Sequence, residues 1–399
     1  MWWLFHSARG DLIHEIKALH DQYGDIVRIA PDQLSYVSPD AIKDIYERRA
    51  GQPENVKDPK MSSVRGSQDV RAINSATATK HAYLRKLLSP IFSIGAIKNF
   101  EPILLAEADR FIRNLEDTCA VDNGCIDLSF WFNMATFSQM GRVVFDESFE
   151  FMDTAALHWW IDSLPRFVKV LSMTRLLNNI PLLHYISPEI FMPASLKNGF
   201  QFHIQRTKTM VQKQKSVLVV GNSLMSLFLR GLDEKKLTEP EVIINAEFFV
   251  IAGSETTATH LSGTLYLLLA NPATWQKLRD EVRSVFDSTD EINLTSVSKL
   301  KYMLAVQNES LRIYPPATDS PVRLTPPKGA MINGLFVPGN MKVGVNPYAA
   351  QRCSRNFSDT DCFIPERWTG EAKYSLDRRE AFVPFSYGPR NCIGRKYVT

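Results

Sequence analysis

A cysteine near the carboxyl end of the chain lies in the run Phe385-Ser-Tyr-Gly-Pro-Arg-Asn-Cys-Ile-Gly394. The two glycines of this run, Gly388 and Gly394, let the backbone turn tightly on both sides of Cys392. Such a loop can direct backbone N–H groups at the sulfur, and with Arg390 nearby these bonds favour the thiolate over the thiol. The run therefore predicts a thiolate metal ligand, with an inert cysteine in a glycine-rich turn as the alternative.

A second run, Ala252-Gly-Ser-Glu-Thr-Thr257, combines small, acidic and hydroxyl side chains within a helical stretch. Ala252 and Gly253 are small enough for a flat cofactor to approach the backbone closely. The hydroxyl of Thr256 can bond back to a helix carbonyl and loosen the turn. Glu255 and Thr256 together offer an acid and a hydroxyl that can pass protons through water. The alternative is a polar kink in a buried helix.

Charged side chains recur at helical spacing in two further places. Glu309 and Arg312 are three residues apart and share a helix face, and such pairs are usually solvated and contribute roughly 0–1 kcal/mol. His81 and Arg85 are four residues apart on another helix. Taken alone, each of these charges is more typical of a surface than of a binding site.

The main element that must position these residues is the long apolar stretch Val242–Ala270. Its length could span a bilayer, but it contains polar and ionisable side chains that are costly in lipid: Asn245, Glu247, Ser254, Glu255 and His260. We therefore predict the buried central helix of a large domain. Thr238 followed three residues later by Glu241 predicts a capping box at its start, and Asn271-Pro272 predicts its end.

The rest of the chain is predicted to be mostly helical. The amino-terminal elements are a helix over Asp11–Tyr23 and short strands over Ile26–Ala30 and Leu34–Val37. The pattern from Pro39 to about Pro240 is mainly helical, with loops at Asp58–Thr79, Asp122–Cys125 and Pro181–Pro193. Later elements are a helix over Lys299–Ile313 and turns at Asn333-Gly334 and Pro338-Gly339. The predicted fold class is mainly α with a small, segregated β part, and the absence of repeats or linkers predicts a single domain over residues 1–399.

The composition excludes several classes of protein. The 399 residues are 45% hydrophobic and 22% charged, which is typical of a soluble globular protein. The net charge of +3 arises from interleaved cations and anions without a basic block, so no nucleic acid is expected as a partner. The five cysteines are odd in number and form no CxxC pair, which argues against a disulfide framework or a zinc site and indicates a reducing compartment.

The run around Cys392 resembles the haem-binding loop of the cytochrome P450 family, and further family motifs follow in the expected order over nearly the whole chain. The resemblance implies the cytochrome P450 fold, with haem b as cofactor in one large domain. It implies that Cys392 is the axial ligand of the iron, in a loop that includes Phe385, Gly388 and Gly394. It also implies that Glu255 and Thr256 assist protonation of dioxygen.

Two groups of charged residues gain a role from the same resemblance. Glu309, Arg312 and Arg367, the last within Pro365-Glu-Arg-Trp368, would form a buried structural network rather than a catalytic group. The two haem propionates would be held by cations, namely Arg390, Arg323, Arg85 and His81. His81 stands where the family often has Trp, and Trp368 stands where Phe is commoner.

The implied activity is that of a haem-thiolate monooxygenase acting on a small lipophilic substrate. It would use O2 and two electrons that come from NADPH through a separate NADPH-cytochrome reductase, and the chain would act as a monomer. Lys86, Arg395 and Lys396 would meet an acidic surface of that reductase. Substrate pocket walls are expected from Asp58–Thr79, Pro165–Gln205 and Asn245–Thr256. The segments Tyr23–Pro39 and Arg323–Pro338 are similar to those of fungal members that oxidise secondary metabolites such as terpenoids or polyketides.

Two alternatives stay open on the sequence alone. A haem-thiolate isomerase would need no reductase, although Glu255 and Thr256 argue against it. The other alternative is a truncated, non-catalytic remnant, because the chain stops seven positions after Cys392, where the family continues through a helix and a hairpin. We expect truncation at both ends, since the start has no membrane anchor and the chain has no transmembrane segment. An intact product with an anchor would lie on the cytosolic face of the endoplasmic reticulum.

Overall fold

The computed structural model describes residues 2–48, 54–58, 70–121, 124–147, 158–180, 193–216 and 223–398. The chain divides into two compact units. The first unit comprises residues 1–61 and 263–392, and the second comprises residues 62–262 and 393–399. The single domain expected over residues 1–399 stays a prediction. Parts of the predicted loops at Asp58–Thr79, Asp122–Cys125 and Pro181–Pro193 lie outside the described residues, namely residues 59–69, 122–123 and 181–192.

Helices dominate the described residues. They are α1 Trp2–Arg9, α2 Leu12–Tyr23, α3 Pro39–Tyr46, α4 Ala78–Leu88, α5 Ile94–Val121, α6 Leu128–Phe145, α7 His158–Asn178, α8 Ala194–Ser216, α9 Leu224–Asp233, α10 Glu239–Ala270, α11 Pro272–Val285, α12 Leu294–Val297, α13 Lys301–Ile313, α14 Pro347–Gln351 and α15 Arg395–Val398. The strands are β1 Ile26–Ala30, β2 Gln33–Tyr36, β3 Val56–Lys57, β4 Arg323–Leu324, β5 Ala330–Ile332, β6 Leu335–Val337 and β7 Lys342–Val345. The predicted fold class, mainly α with a small β part, is confirmed.

The strands all belong to the first unit and form two sheets. Five of them lie in the order β1-β2-β7-β4-β3, in which β2 and β7 are parallel and the other neighbours are antiparallel. β5 and β6 form a hairpin whose turn, Asn333-Gly334, has φ angles of 52° and 76°. Two consecutive positive φ angles are what a type I′ turn requires, so this predicted turn is confirmed. The strand predicted at Leu34–Val37 is wrong by one residue at each end, because Gln33 pairs with both neighbouring strands.

The helix α3 ends at the place where the first unit gathers its candidate site residues. Ser38 caps this helix by accepting the Asp40 N–H at 3.2 Å, and Pro39 occupies a first-turn position that needs no amide partner. The apolar face of α3 is buried in the core of the first unit. At its carboxyl end, the Tyr46 hydroxyl accepts the Val345 N–H at 2.9 Å, which joins α3 to β7.

The long helix α10 is capped as predicted, and its buried residues lie mostly between Val242 and His260. Glu241 accepts the Thr238 N–H at 2.8 Å, and Thr238 accepts the Glu241 N–H at 3.4 Å, which is the predicted capping box. Up to Ser262 the helix belongs to the second unit, where Val242 and Ala246 are fully buried in the main apolar core. Across the part of the chain that the structure describes, no helix combines the length and the apolar character needed to cross a membrane.

Candidate functional site

The loop around Cys392 is fixed by its own backbone hydrogen bonds. The Cys392 N–H donates to the Phe385 carbonyl at 2.8 Å, and the Asn391 N–H donates to the Gly388 carbonyl at 3.1 Å. Ser386 and Gly388 have φ angles of 60° and 75°, so the chain reverses direction within the loop. The Cys392 side chain is exposed. The amide of Cys392 bonds a carbonyl rather than the sulfur, so thiolate stabilisation depends on the other groups of the loop.

Gly388 is the point at which this loop meets α3. A β-carbon added to Gly388 would lie 2.0 Å from the Tyr46 carbonyl oxygen, and real β-carbons essentially never approach within 3.0 Å. Any larger residue would therefore push the loop away from α3. The positive φ angle adds a second reason, because only glycine adopts it without strain.

Arg323, in the same unit, is a buried cation with an unsatisfied nitrogen. It is 3% exposed, and its guanidinium carbon lies 5.5 Å from the centre of the Tyr46 ring. Its Nη1 is buried and has no hydrogen-bond partner among the residues that the structure describes. The pKa of Arg323 is lowered to about 10, chiefly by burial; Tyr46 and Glu54 act to raise it, and Arg390 acts to lower it. A buried cation with an orphaned N–H indicates a site for an anion.

These residues of the first unit fit the cofactor that the sequence implies. Haem carries an iron that accepts a thiolate and two propionates that require cations. Cys392 offers the sulfur, while Arg323 and Arg390 offer nearly buried guanidinium groups. The orphaned Nη1 of Arg323 is the observation that argues for a carboxylate ligand here.

The second unit carries the acid and the hydroxyl of α10. Thr256 is exposed, and its hydroxyl donates to the Ala252 carbonyl at 2.7 Å, the back-bond expected from the sequence. Glu255 is half-buried, and burial raises the pKa of its carboxyl. A carboxyl with a raised pKa keeps its proton to a higher pH than an exposed carboxyl does, which favours a role as an acid. The two adjacent side chains therefore have the chemistry of a proton donor and a hydroxyl relay.

One expectation for this helix is wrong. The sequence predicts that both Ala252 and Gly253 leave room for a flat cofactor, but Gly253 packs against α6. A β-carbon added there would lie 2.2 Å from Sδ of Met140. The small residue at position 253 is therefore required by helix packing, and close approach of a cofactor stays a prediction for Ala252 alone.

A second acid of α10, Glu247, was given no role by the sequence. It is 7% exposed, and among the described residues no hydrogen bond or ion pair reaches its carboxyl. Burial alone raises the pKa of Glu247 to about 8. The only signal in the sequence is an ionisable residue within an otherwise apolar stretch. Such a group makes the stability of the protein depend on pH.

We expect Glu247→Gln to stabilise the protein at pH 8 and to leave its stability near pH 4.5 unchanged. The unfolded chain ionises Glu247 near pH 4.5, whereas the folded chain keeps the proton up to about pH 8. The contribution of Glu247 to the free energy of unfolding is therefore fully present below pH 4.5 and is lost as the pH rises toward 8. Gln is neutral at every pH and so imitates the protonated acid throughout. The gain at pH 8 should be on the order of a few kcal/mol.

Urea denaturation of both proteins across this pH range tests that expectation. Glu116→Gln, on an exposed part of α5, is the control and should leave the pH dependence of stability as in the wild type. Parallel curves for Glu247→Gln and the wild type would contradict the argument.

His81 and Arg85 lie one turn apart on α4, also in the second unit. His81 is buried and Arg85 is half-buried. Lys80 fixes this helix to the start of α10, because its Nζ lies 2.7 Å from Oε1 of Glu241. The role of His81 and Arg85 toward a propionate stays a prediction.

Glu309, Arg312 and Arg367 come together in the first unit as a completely buried network, each with an exposed side-chain fraction of 0%. Arg312 donates two hydrogen bonds to the Glu309 carboxylate, from Nε at 2.9 Å and from Nη2 at 2.8 Å. Arg367 donates from Nε to Glu309 at 3.0 Å and also pairs with Asp377. The indole N–H of Trp368 donates to Glu309 at 2.9 Å.

The network has two members that the sequence did not predict, Asp377 and Trp368. Asp377 supplies a second carboxylate, so two buried cations face two buried anions. Trp368 supplies an N–H that Phe, the commoner family residue, lacks. Together they fasten α13 to the segment that leads to the cysteine loop.

The remaining predicted residues lie near α15 and on α4. Lys86, Arg395 and Lys396 are all exposed. Gly394 belongs to the second unit, and its carbonyl accepts the Tyr397 N–H at 2.9 Å.

Comparison with known proteins covers both units. The family described as Cytochrome P450 matches residues 1–397. Cytochrome P450 monooxygenase astA of Talaromyces wortmannii is 36% identical over 393 residues, which are 98% of this chain and 79% of that protein. Cytochrome P450 monooxygenase cpaH of Aspergillus oryzae is 35% identical over 393 residues, 98% of this chain and 76% of that protein. Averantin hydroxylase of Dothistroma septosporum is 36% identical over 394 residues, 98% of this chain and 73% of that protein.

Proposed function

Because the chain belongs to the cytochrome P450 family and its enzymes are monooxygenases, we propose that it inserts one oxygen atom from O2 into a small lipophilic substrate of fungal secondary metabolism. A terpenoid or a polyketide is the proposed substrate class. The relative named averantin hydroxylase supports hydroxylation as the type of reaction. The observation that carries the proposal is the cysteine loop with the orphaned cation of Arg323 in the same unit.

The proposed cofactor is haem b, which when bound supplies the activation of O2 with electrons delivered from NADPH by a separate reductase. Cys392 holds the iron as a thiolate, and Phe385, Gly388 and Gly394 shape its loop. Arg390, Arg323, Arg85 and His81 hold the propionates. Glu309, Arg312 and Arg367 hold the segment before the loop in place and touch no substrate.

Glu255 and Thr256 deliver protons during the reaction of O2. The raised pKa of Glu255 supports this role, because burial keeps the carboxyl protonated to a higher pH than that of an exposed glutamate. The exposed hydroxyl of Thr256 can orient a water between that acid and the reacting oxygen.

The exposed cations Lys86, Arg395 and Lys396 are the proposed docking groups for an acidic reductase. For a product that carries a membrane anchor, the proposed location is the cytosolic face of the endoplasmic reticulum.

Co-expression of the chain with an NADPH-cytochrome reductase under labelled O2 tests the function. We expect a metabolite that gains one labelled oxygen atom and that forms only when NADPH and the reductase are present. Product formation without either would favour a haem-thiolate isomerase. Failure of the purified chain to bind haem would favour a non-catalytic remnant.

We expect Thr256→Ala to leave haem binding intact and to uncouple NADPH consumption from product formation. Without the hydroxyl, protons reach the reacting oxygen less effectively, and the electrons are lost as hydrogen peroxide. Product formed per NADPH should fall by roughly tenfold or more. Peroxide, NADPH and product are measured together in the reconstituted system.

Thr257→Ala is the matched control, because the Thr257 hydroxyl makes the same back-bond, to the Gly253 carbonyl at 2.8 Å. It should keep the wild-type ratio of product to NADPH. An unchanged ratio in Thr256→Ala would refute the proton role of that hydroxyl.

A further inference from the structure

Arg390 has a carboxylate partner that the sequence did not predict. Its side chain is 5% exposed, and its Nε lies 3.3 Å from Oε1 of Glu54, whose side chain is 28% exposed. Glu54 is therefore the more exposed member of this pair, and the guanidinium of Arg390 is nearly buried.

The segment that carries Glu54 is fixed to the end of α3. The next residue, Asn55, is buried, and its Nδ2 donates to the carbonyls of Asp44 and Ile45, each at 3.1 Å. The same helix end receives the cysteine loop at Gly388. Both the segment that carries Glu54 and the loop that contains Arg390 therefore contact the end of α3.

From this arrangement we infer that Glu54 is a positioning residue, which holds Arg390 by its Nε so that its guanidinium is oriented toward a carboxylate of the bound cofactor. The inference rests on the proposed function, since it needs a haem propionate as the partner of Arg390. Glu54 touches neither substrate nor iron, and it acts only through Arg390.

Two observations indicate that Glu54 orients Arg390 and does not compete with a propionate for it. Glu54 contacts the Nε edge of the guanidinium at 3.3 Å, a long contact at the side of the group rather than a two-nitrogen grip on its end. Arg323 has its orphaned Nη1 in buried surroundings, which indicates that the expected anion is buried while Glu54 is not. Glu54 would be a second partner, a residue that orients the group that binds. Removing such a residue commonly changes the affinity for the bound group by roughly 10- to 100-fold.

The rate of haem transfer to an excess of apomyoglobin tests the inference without measuring activity. We expect Glu54→Ala to lose haem about tenfold faster than the wild type. Glu54→Gln keeps an oxygen that can accept the Arg390 N–H, so it should recover part of the difference. Glu47→Ala is the matched control, because Glu47 is exposed and its Cα lies near the same loop, and it should lose haem at the wild-type rate.

A double-mutant cycle shows whether Glu54 acts through Arg390. In an Arg390→Met background, Glu54→Ala should add nothing to the rate of haem loss. The inference is overturned by a Glu54→Ala rate within twofold of the wild type, by slower haem loss, which would mean competition with the propionate, or by an equal effect in the Arg390→Met background. A wild-type protein that holds no thiolate-bound haem would instead overturn the proposed function, before any variant is compared.

Discussion

Cys392→Ala abolishes the red-shifted Soret band of the reduced, carbon-monoxide-bound protein, which is the largest single effect we expect. That band would require a thiolate ligand on the iron, because the charged sulfur would push electron density onto the metal. Alanine offers no ligand atom, and the loop around it is held by backbone bonds that the substitution keeps, such as the Cys392 N–H to the Phe385 carbonyl. The loss should therefore be specific to ligation and not to folding.

Cys362→Ala is the control for this experiment. Cys362 is also exposed, and its only contribution to the buried network is a backbone carbonyl that accepts Arg312 at 3.0 Å, which alanine retains. The control should show the wild-type spectrum. An unchanged band in Cys392→Ala, or a wild-type band typical of nitrogen ligation, would remove the central assignment.

Arg367→Met should be the most destabilising of the substitutions considered. It leaves two buried carboxylates, Glu309 and Asp377, without one of their cations, and it removes the donor to the Ser358 carbonyl at 3.0 Å. Breaking a buried ion pair by removing one partner costs roughly 3–5 kcal/mol, because the remaining charge has no water to solvate it. The denaturant midpoint should fall accordingly, or the protein should fail to accumulate in soluble form.

Lys277→Met supplies the comparison. Lys277 lies 2.6 Å from Glu366, the immediate neighbour of Arg367, but this ion pair is exposed. Exposed pairs contribute roughly 0–1 kcal/mol, so this variant should unfold almost as the wild type does. Equal shifts of the midpoint in the two variants would contradict the distinction between buried and exposed pairs.

Local features of this fold are predictable from the sequence because neighbours along the chain decide them. The capping box of Thr238 and Glu241 depends on residues three apart, and the Asn333-Gly334 turn depends on two adjacent residues with positive φ. The end of α13 at Ile313 follows from the prolines at 315 and 316, which exclude helical backbone before them.

Contacts between distant residues could not be predicted in this way. The sequence shows that residue 253 is small, but no sequence pattern predicts that Met140 lies against it. Glu54 and Arg390 are 336 positions apart, and a lone glutamate in a polar segment carries no signal of such a partner. The family resemblance named Arg390 but not the carboxylate beside it, because this contact depends on how α3 is placed.

The carboxyl end of α3 also constrains how the protein can be made. Tyr46 is synthesised early, but Val345, whose amide its hydroxyl accepts, is synthesised 299 positions later. Glu54 and its partner Arg390 are separated by more residues still. At a translation rate of roughly 5–20 residues per second, these two delays are roughly 15 to 70 seconds. The main apolar core of the second unit draws its buried residues from positions 73 to 250, so this unit can begin to fold on the ribosome while the first unit still lacks β4 and β7, two of the five strands of its larger sheet.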